Sequence, residues 1–367
     1  MTASIQGIYH GKRPVLEVRK GTVPFWKSPG WTTPSTSLAK ATSIPFVGGG
    51  QYTQTSLVAL PDGRLLVNEY NENFELDDNM TFQKLPLAKS FPKSQVDKKG
   101  KFLITQNPNS STGILLVDNL NSEVSPNPIS QYRRYTNIVD GDDDGFLLFG
   151  DVTFTGDIFS NPTKVTGAIS GAIYGGSFYD GYFYVLTGDS GGTTSPSRLV
   201  LRKYTKDVVQ ESSIALPTST SVNISKPTHA EGISTSTYDD AGNIFVAVKN
   251  PDNAIMKVTR SGETVWYRFN GTKFGSYTGL FSDRIGNVYA VRYGDSKSGN
   301  NGKIEITKLK NDMTVDWIEI LPTTNTSADT SSTMQVSVSL DGVIYVANDT
   351  NIATTAHNID IYQQSKR

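Results

Sequence analysis

Cysteine is absent from the 367-residue chain, which excludes disulfides, thiolate metal centres and a cysteine nucleophile. Histidine occurs only as His10, His229 and His357, too few for a histidine-rich metal centre. No apolar run approaches the ~18 residues of a membrane-spanning helix, and residues 1–6 carry no apolar stretch of a secretory leader, so neither is expected. An excess of one charge is also missing. Lys and Arg total 34 against 35 Asp and Glu, net −1, which argues against a nucleic-acid partner held by a broad positive field. Charged residues make up 19% of the chain. Because ordinary domains carry about 25%, much of the polar surface must come from Ser, Thr, Asn and Gln. Helical periodicity is nearly absent.

A repeat is present. Seven times a turn ending in Gly leads into a β-branched or aromatic run. Asp62-Gly63 precedes Leu65-Leu66-Val67, Lys99-Gly100 precedes Phe102-Leu103-Ile104, and Asp144-Gly145 precedes Phe146-Leu147-Leu148-Phe149. Asp180-Gly181 precedes Tyr182-Phe183-Tyr184-Val185-Leu186, and Asp240-Ala241-Gly242 precedes Ile244-Phe245-Val246-Ala247-Val248. Asp283 through Gly286 precedes Val288-Tyr289-Ala290-Val291, and Asp341-Gly342 precedes Val343-Ile344-Tyr345-Val346-Ala347. Each is a hairpin signal, with Asp for turn hydrogen bonds and Gly for a positive φ. The glycine intervals of 37, 45, 36, 61, 44 and 56 residues average about 46, near the period of one β-propeller blade. We therefore expect an all-β, seven-bladed β-propeller rather than a β-sandwich or β-helix.

Each blade would hold four antiparallel strands, A to D from the axis outward. The fifth repeat reads as A near 233–238, B at 244–248, C at 254–259 and D at 264–269. The sixth gives C at 304–309 and D at 315–320. The seventh gives A at 334–340, B at 343–347 and C at 358–362, and then the chain ends without a D strand. An unpaired outer edge is a liability, so residues 37–46 are expected to close the last blade as its D strand. This divides the chain into residues 1–36, an N-terminal docking hairpin with its linker, and residues 37–367, the propeller.

Loop lengths differ between the two ends. The A–B turns read as tight, as do the C–D turns at 77–80, 119–122, 260–263 and 310–313. The B–C connections at 187–198 and 292–302 and the D–A connections at 217–232 and 322–333 are long, and these two kinds emerge on one face. Long loops on a rigid scaffold carry binding residues, so Asp189, Ser190, Thr193, Arg198, His229, Glu231, Arg292, Asp295 and Lys297 are the candidates for a binding face. Their Ser- and Thr-rich setting suits a polar partner, a glycan or a protein.

Residues 1–31 do not follow the blade pattern. Two short strands, 15–18 and 23–26, flank a turn at 19–22. Such a hairpin is too small to stand alone and would dock, with Tyr9, Phe25, Trp26 and Trp31 as anchors. Gly7, Tyr9, Gly11, Val15, Val18, Gly21, Thr22, Phe25 and Trp26 form a pattern that resembles the segment opening many phage virion proteins, especially tail and appendage proteins. Where that pattern has an aromatic residue before Gly-Thr, this chain has Arg19-Lys20, and Pro14 and Pro24 are additional. The resemblance covers about 25 residues. It implies a virion structural protein of the tail or a tail-fibre-associated part, attached to other virion proteins through residues 1–31, present in several copies and assembled in the host cytoplasm. The propeller runs Asp239-Asp240-Ala241-Gly242-Asn243-Ile244-Phe245-Val246-Ala247 and Asp341-Gly342-Val343-Ile344-Tyr345-Val346-Ala347 resemble NHL-like and lactonase-like repeat families. Those families include both enzymes and binders, so fold alone does not decide function.

Asp140, Asp142 and Asp144 match the start of a calcium loop, Asp-x-Asp-x-Asp-Gly, but Asp151 replaces the usual closing Glu in an EF-hand frame and Leu148 occupies the acidic position of a shorter loop. The run also occupies an A–B turn, so calcium and a solvated acidic turn both remain open. His229-Ala230-Glu231 could supply a base and an acid, or act as a hydrogen-bonded loop. The cluster Tyr174, Phe178, Tyr179, Tyr182, Phe183 and Tyr184 reads as core between blades. We assign no catalytic residue and no required cofactor, and expect a binding protein. The alternative is a lactonase-like or glycan-cleaving propeller hydrolase or lyase, which would show ionisable groups clustered at one end of the channel.

Overall fold

The computed structural model describes residues 38–47, 56–60, 63–69, 72–77, 80–85, 169, 173–188, 199–217, 223–224, 236–250, 254–269, 279–293, 303–322, 336–349 and 356–364, and, as strands only, parts of 8–27 and 93–166. These residues are β-structure and turns, with no helix among them.

Two hairpins come first. β1 (Ile8–His10) pairs with β2 (Arg13–Val15), and β3 (Glu17–Lys20) pairs with β4 (Val23–Lys27). The sequence suggested one hairpin with a strand over 15–18. The register divides that strand, because Val15 pairs back with Ile8 while Glu17 pairs forward with Lys27.

β5 (Leu38–Val47) is followed by a sheet of β6 (Ser56–Ala59), β7 (Leu65–Glu69), β8 (Glu72–Leu76) and β9 (Phe82–Lys84). The next holds β10 (Lys93–Val96), β11 (Phe102–Thr105), β12 (Ile114–Val117) and β13 (Asn127–Ile129). Then come β14 (Ile138–Asp140), β15 (Gly145–Leu148), β16 (Val152–Thr155) and β17 (Thr163–Thr166). A fourth sheet holds β18 (Ile173–Tyr179), β19 (Tyr182–Gly188), β20 (Leu199–Thr205) and β21 (Gln210–Ala215). In the fifth, β22 (Asn223–Ile224) and β23 (Ser236–Tyr238) both pair with β24 (Ile244–Asn250), which continues to β25 (Ala254–Val258) and β26 (Thr264–Arg268). The sixth holds β27 (Gly279–Ser282), β28 (Val288–Tyr293), β29 (Lys303–Leu309) and β30 (Val315–Pro322). The last runs β31 (Val336–Val338), β32 (Ile344–Asp349), β33 (Ala356–Gln364) and then β5.

The expected completion of the last sheet is seen: β5 pairs with β33, with Ile359 opposite Ile44 and Asp360 opposite Ser43. Inner strands of neighbouring sheets touch one another, β18 with β23, β23 with β27, β27 with β31 and β31 with β6. Apolar layers fill the gaps. Val67, Phe74 and Leu76 of the first sheet pack with Tyr345, Ala347 and Ile361 of the last. Tyr289 and Val291 pack with Val336 and Val346. Tyr174, Tyr184 and Leu186 pack with Ile244, Val246 and Met256, as expected for an aromatic group set between sheets.

The turns repay a closer look at sequence level. Gly63, Gly181, Gly242, Gly286 and Gly342 all have φ between 77° and 92°, the left-handed region that costs other residues a Cβ clash. In four of these turns the acceptor lies three residues before the glycine. Asp239 and Asp283 fill that place, and each Oδ1 accepts from the backbone N–H of the residue four on, Asn243 and Asn287, at 2.9 Å. Ser339 fills it in the last sheet and Leu60 in the first. The Asp directly before glycine in Asp62-Gly63 and Asp341-Gly342 is therefore not the side chain at that acceptor position. Residue-three positive φ also recurs in the C–D turns, at Gly262 but also at Met80, Val208 and Met313. Met80 has φ 60° and is 44% exposed, so it gains little burial for its strain. Replacing Met80 with Gly is expected to stabilise the protein by about 0.5–1 kcal/mol, read as a higher denaturant midpoint at unchanged slope; a lower midpoint would contradict it.

Not every connection has its expected length. Residues 118–126 separate β12 from β13, longer than the tight turn read at 119–122. B–C intervals are long after β19 and β28 but short after β7 and β24. The D–A stretch 217–232 is interrupted, because Asn223–Ile224 already holds the inner position of the fifth sheet before the chain returns at Ser236.

Candidate functional site

The antiparallel order places B–C and D–A connections at one end of the sheets and A–B and C–D turns at the other. At the loop end, the bases of the loops are built from buried polar groups. Arg292, near the end of β28, donates from Nε to Glu305 Oε1 at 2.7 Å, and its Nη2 also reaches that oxygen. The two side chains are 5% and 9% exposed. The guanidinium lies 4.6 Å from the Phe269 ring centroid, at the base of the connection leading out of β26. Burial, reinforced by the Glu305 charge, pushes the Tyr267 phenol above its ordinary range. In the fourth sheet, Arg202 donates to Thr187 Oγ1 at 2.9 Å and to Gln210 Oε1 at 3.0 Å, tying β20 to β19 and β21.

Arg292, a candidate for the binding face, is buried: period-2 alternation turns it into the layer between the fifth and sixth sheets, where Glu305 neutralises it. Asp189, Ser190, Thr193, Arg198, His229, Glu231, Asp295 and Lys297 lie outside the described residues. So do Asp142, Asp144, Gly7, Gly11, Gly21 and Trp31. Asp140 is described as the last position of β14, opposite Phe146. Tyr9, Val15, Val18, Phe25 and Trp26 are placed as strand positions in β1 to β4, with Val18 opposite Trp26. Among the described residues no three His, Asp or Glu side chains come together as a metal group, and no helix is long and apolar enough to cross a membrane.

The inner strands β6, β18, β23, β27 and β31 contain no Asp, Glu, Lys, Arg or His. β10 contributes Lys93 and β14 contributes Asp140. Hydroxyls on the inner strands join neighbours. Ser177 donates to the Gly242 carbonyl at 2.7 Å, and Ser282 to the Tyr238 carbonyl at 2.7 Å. The Ala59 N–H donates to Ser337 Oγ at 2.9 Å across the junction of first and last sheets. These groups are engaged in holding adjacent sheets together.

At the turn end, charged side chains also bridge sheets. Lys257 donates to the Asn311 carbonyl at 2.6 Å, and Asn311 Nδ2 donates to Asp239 at 3.1 Å. Burial draws the Lys257 ammonium below the usual lysine range. Lys308, fully buried, pairs with Asp316 at 3.0 Å and donates to Gln364 Oε1 at 2.7 Å. Gln364 donates to the Tyr289 hydroxyl at 2.7 Å, and that hydroxyl donates to Asp283 Oδ2 at 3.0 Å. Burial raises the Asp283 carboxyl, against hydrogen bonds from Asn287, and pushes Tyr289 well up. A side chain on Gly342 would sit 2.7 Å from the Tyr289 hydroxyl, so the turn and the neighbouring sheet need that glycine for space as well as for φ. Sequence reasoning missed Lys257, Glu305 and Lys308. Their signal was a charge inside an otherwise apolar strand, as in Lys303-Ile304-Glu305-Ile306-Thr307-Lys308-Leu309.

Four-stranded antiparallel sheets in chain order, packed face to face, define the class: an all-β protein with a propeller-like fold. The sequence matches no family model and no curated protein. Solved structures are similar in shape. One chain in the crystal structure of BBS1N in complex with ARL6DN is 9% identical, with a TM-score of 0.53 over 90% of this chain and 98% of that one. The extracellular domain of a hybrid two-component system from B. thetaiotaomicron is 13% identical, with a TM-score of 0.51 over 88% of this chain and 39% of that one. A protein described as a gluconolactonase is 13% identical, with a TM-score of 0.41 over 88% of this chain and 94% of that one. At these identities the likeness concerns fold alone.

Proposed function

We propose that the chain is a bacteriophage virion structural protein, of the tail or a tail-fibre-associated part, and that it binds rather than catalyses. Residues 1–31 attach it to other virion proteins. Residues 37–367 form a seven-bladed propeller whose loop end meets another virion protein or a host-surface glycan or protein. Several copies assemble per particle, in the host cytoplasm, and no cofactor is required.

The observation that carries this reading is a division of labour in the N-terminal strands. Among the described residues β1 to β4 pair only with one another, whereas β5 is built into the last sheet. Two small hairpins preceding the outermost strand of that sheet suit attachment to a neighbour. Two-stranded hairpins are marginal by themselves, and the Gly7 to Trp26 pattern resembles phage virion openings. The seven-blade count is supported by seven sheets in chain order, each with an inner, two middle and an outer strand position.

The test compares the full chain with residues 37–367, both made in cells that assemble the particle. The full chain is expected to sediment with particles and the shortened chain to be recovered there at least about tenfold less, as loss of anchor residues predicts. Equal recovery would overturn attachment through residues 1–31.

A further inference from the structure

The near-zero net charge hides a segregation. Residues 1–36 hold five basic side chains, Lys12, Arg13, Arg19, Lys20 and Lys27, and one acidic one, Glu17, a net +4. The remaining 29 Lys and Arg and 34 Asp and Glu give residues 37–367 a net −5. The positive charge falls on the strands of the two hairpins: Arg13 in β2, Arg19 and Lys20 in β3, and Lys27 in β4. Arg19-Lys20 stands where the resembled pattern has an aromatic residue.

Two of these strands are poor templates for adding a strand from a partner: Pro14 in β2, opposite Tyr9, and Pro24 in β4, opposite Arg19, each remove a backbone donor. The register of the β3–β4 pair also shifts between Val18 and Arg19, and such irregularities blunt an edge. This favours recognition through side chains, and most of the charged ones are cationic.

Resting on the attachment reading above, we infer that residues 8–27 dock into a carboxylate-rich protein surface on the neighbouring virion subunit, with Arg13, Arg19, Lys20 and Lys27 facing its Asp and Glu side chains. The acidic body of residues 37–367 lowers non-specific adhesion of the chain to other polyanions, and its own carboxylates are the competing partner that the experiment below separates from a neighbouring subunit. Charge complementarity of this kind sets association rate and register and weakens with salt.

The experiment uses purified particles containing the full chain, treated with a zero-length carbodiimide, which joins an ammonium to a carboxylate only when the two touch. Peptide mapping is expected to show Lys12, Lys20 or Lys27 joined to Asp or Glu of a different virion protein. Links only to carboxylates of this chain, in the same or a second copy, would overturn the inference, as would recovery of these lysines unlinked. In parallel, the full chain carrying Arg13→Gln, Arg19→Gln, Lys20→Gln and Lys27→Gln is tested for sedimentation with particles beside the 37–367 chain. The inference expects the fourfold variant to fall at least about tenfold at low salt, and the full chain to lose most of its advantage at about 0.5 M salt. If the fourfold variant stays bound while 37–367 is lost, the charge inference fails and attachment stands. If 37–367 itself stays bound, attachment fails. Protection of the lysines by nucleic acid, removed by nuclease, would also overturn the inference.

Discussion

A chain beginning at residue 48 is expected to lose its cooperative unfolding transition, while one beginning at residue 37 keeps the melting temperature of the full chain within about 2 °C. The contrast follows from what β5 supplies. Every residue of β33 from Ala356 to Gln364 has a pairing partner on β5. Leu38 and Ile44 pack against the apolar layers on either side of the last sheet. Asp360, 2% exposed, receives the Ser43 hydroxyl at 2.6 Å and the Lys40 ammonium at 2.8 Å. Without β5 those two partners vanish together with the ladder and the apolar contacts of Leu38 and Ile44. The bare edge of β33 would add an aggregation site. Against a total stability of about 5–15 kcal/mol, the loss of ladder, packing and charge partners together is not survivable. Among the described residues, those before β5 contribute no strand to the other sheets, so removal of residues 1–36 should be neutral for stability. Circular dichroism melts of the two shortened chains check both halves; a sharp transition for the chain starting at 48 would contradict completion of the last sheet by β5.

The second large effect is expected at Arg292. Substituting Arg292→Leu should cost about 3–5 kcal/mol, because it leaves Glu305 buried beside Phe269 and Tyr267 without its cation. The double substitution Arg292→Leu with Glu305→Leu should restore most of that loss, since two apolar residues can replace a buried ion pair with little net penalty. Guanidinium denaturation of the single and double variants measures the coupling. A single variant within about 0.5 kcal/mol of the parent would mean that Arg292 is not a structural residue and would return it to the binding face.

Arg292 also shows where the sequence was legible and where it was not. The A–B turns at Gly63, Gly181, Gly242, Gly286 and Gly342 were, because a glycine in the left-handed region marks each of them locally; the C–D turns with Met80, Val208 and Met313 at positive φ carry no such mark. The closing strand was, because seven repeats with a missing last strand leave one obvious donor; the predicted 37–46 became Leu38–Val47. Pairings between sheets were not. Whether Arg292 points to solvent or to Glu305, thirteen positions on, depends on how the two strands pair and on the neighbouring sheet, and neither leaves a local signature. The N-terminal run Val15-Leu16-Glu17-Val18 reads as one apolar strand, yet its two ends pair in opposite directions along the chain. The fifth sheet's inner position is shared by Asn223–Ile224 and Ser236–Tyr238, and no periodicity spans a strand built from two separated pieces. The other residues expected on the binding face, such as Asp189, His229 and Lys297, lie outside the described residues.

The measurement that bears most directly on the function proposed is electron cryo-microscopy of the particle that carries the chain, with residues 1–31 located in the map. Residues 8–27 are predicted to lie within a neighbouring virion protein, with the loop end of the propeller directed outward or toward a second partner. Hairpins folded back on their own propeller, in a chain that stands alone, would contradict the attachment reading and turn attention to the chemistry of the channel.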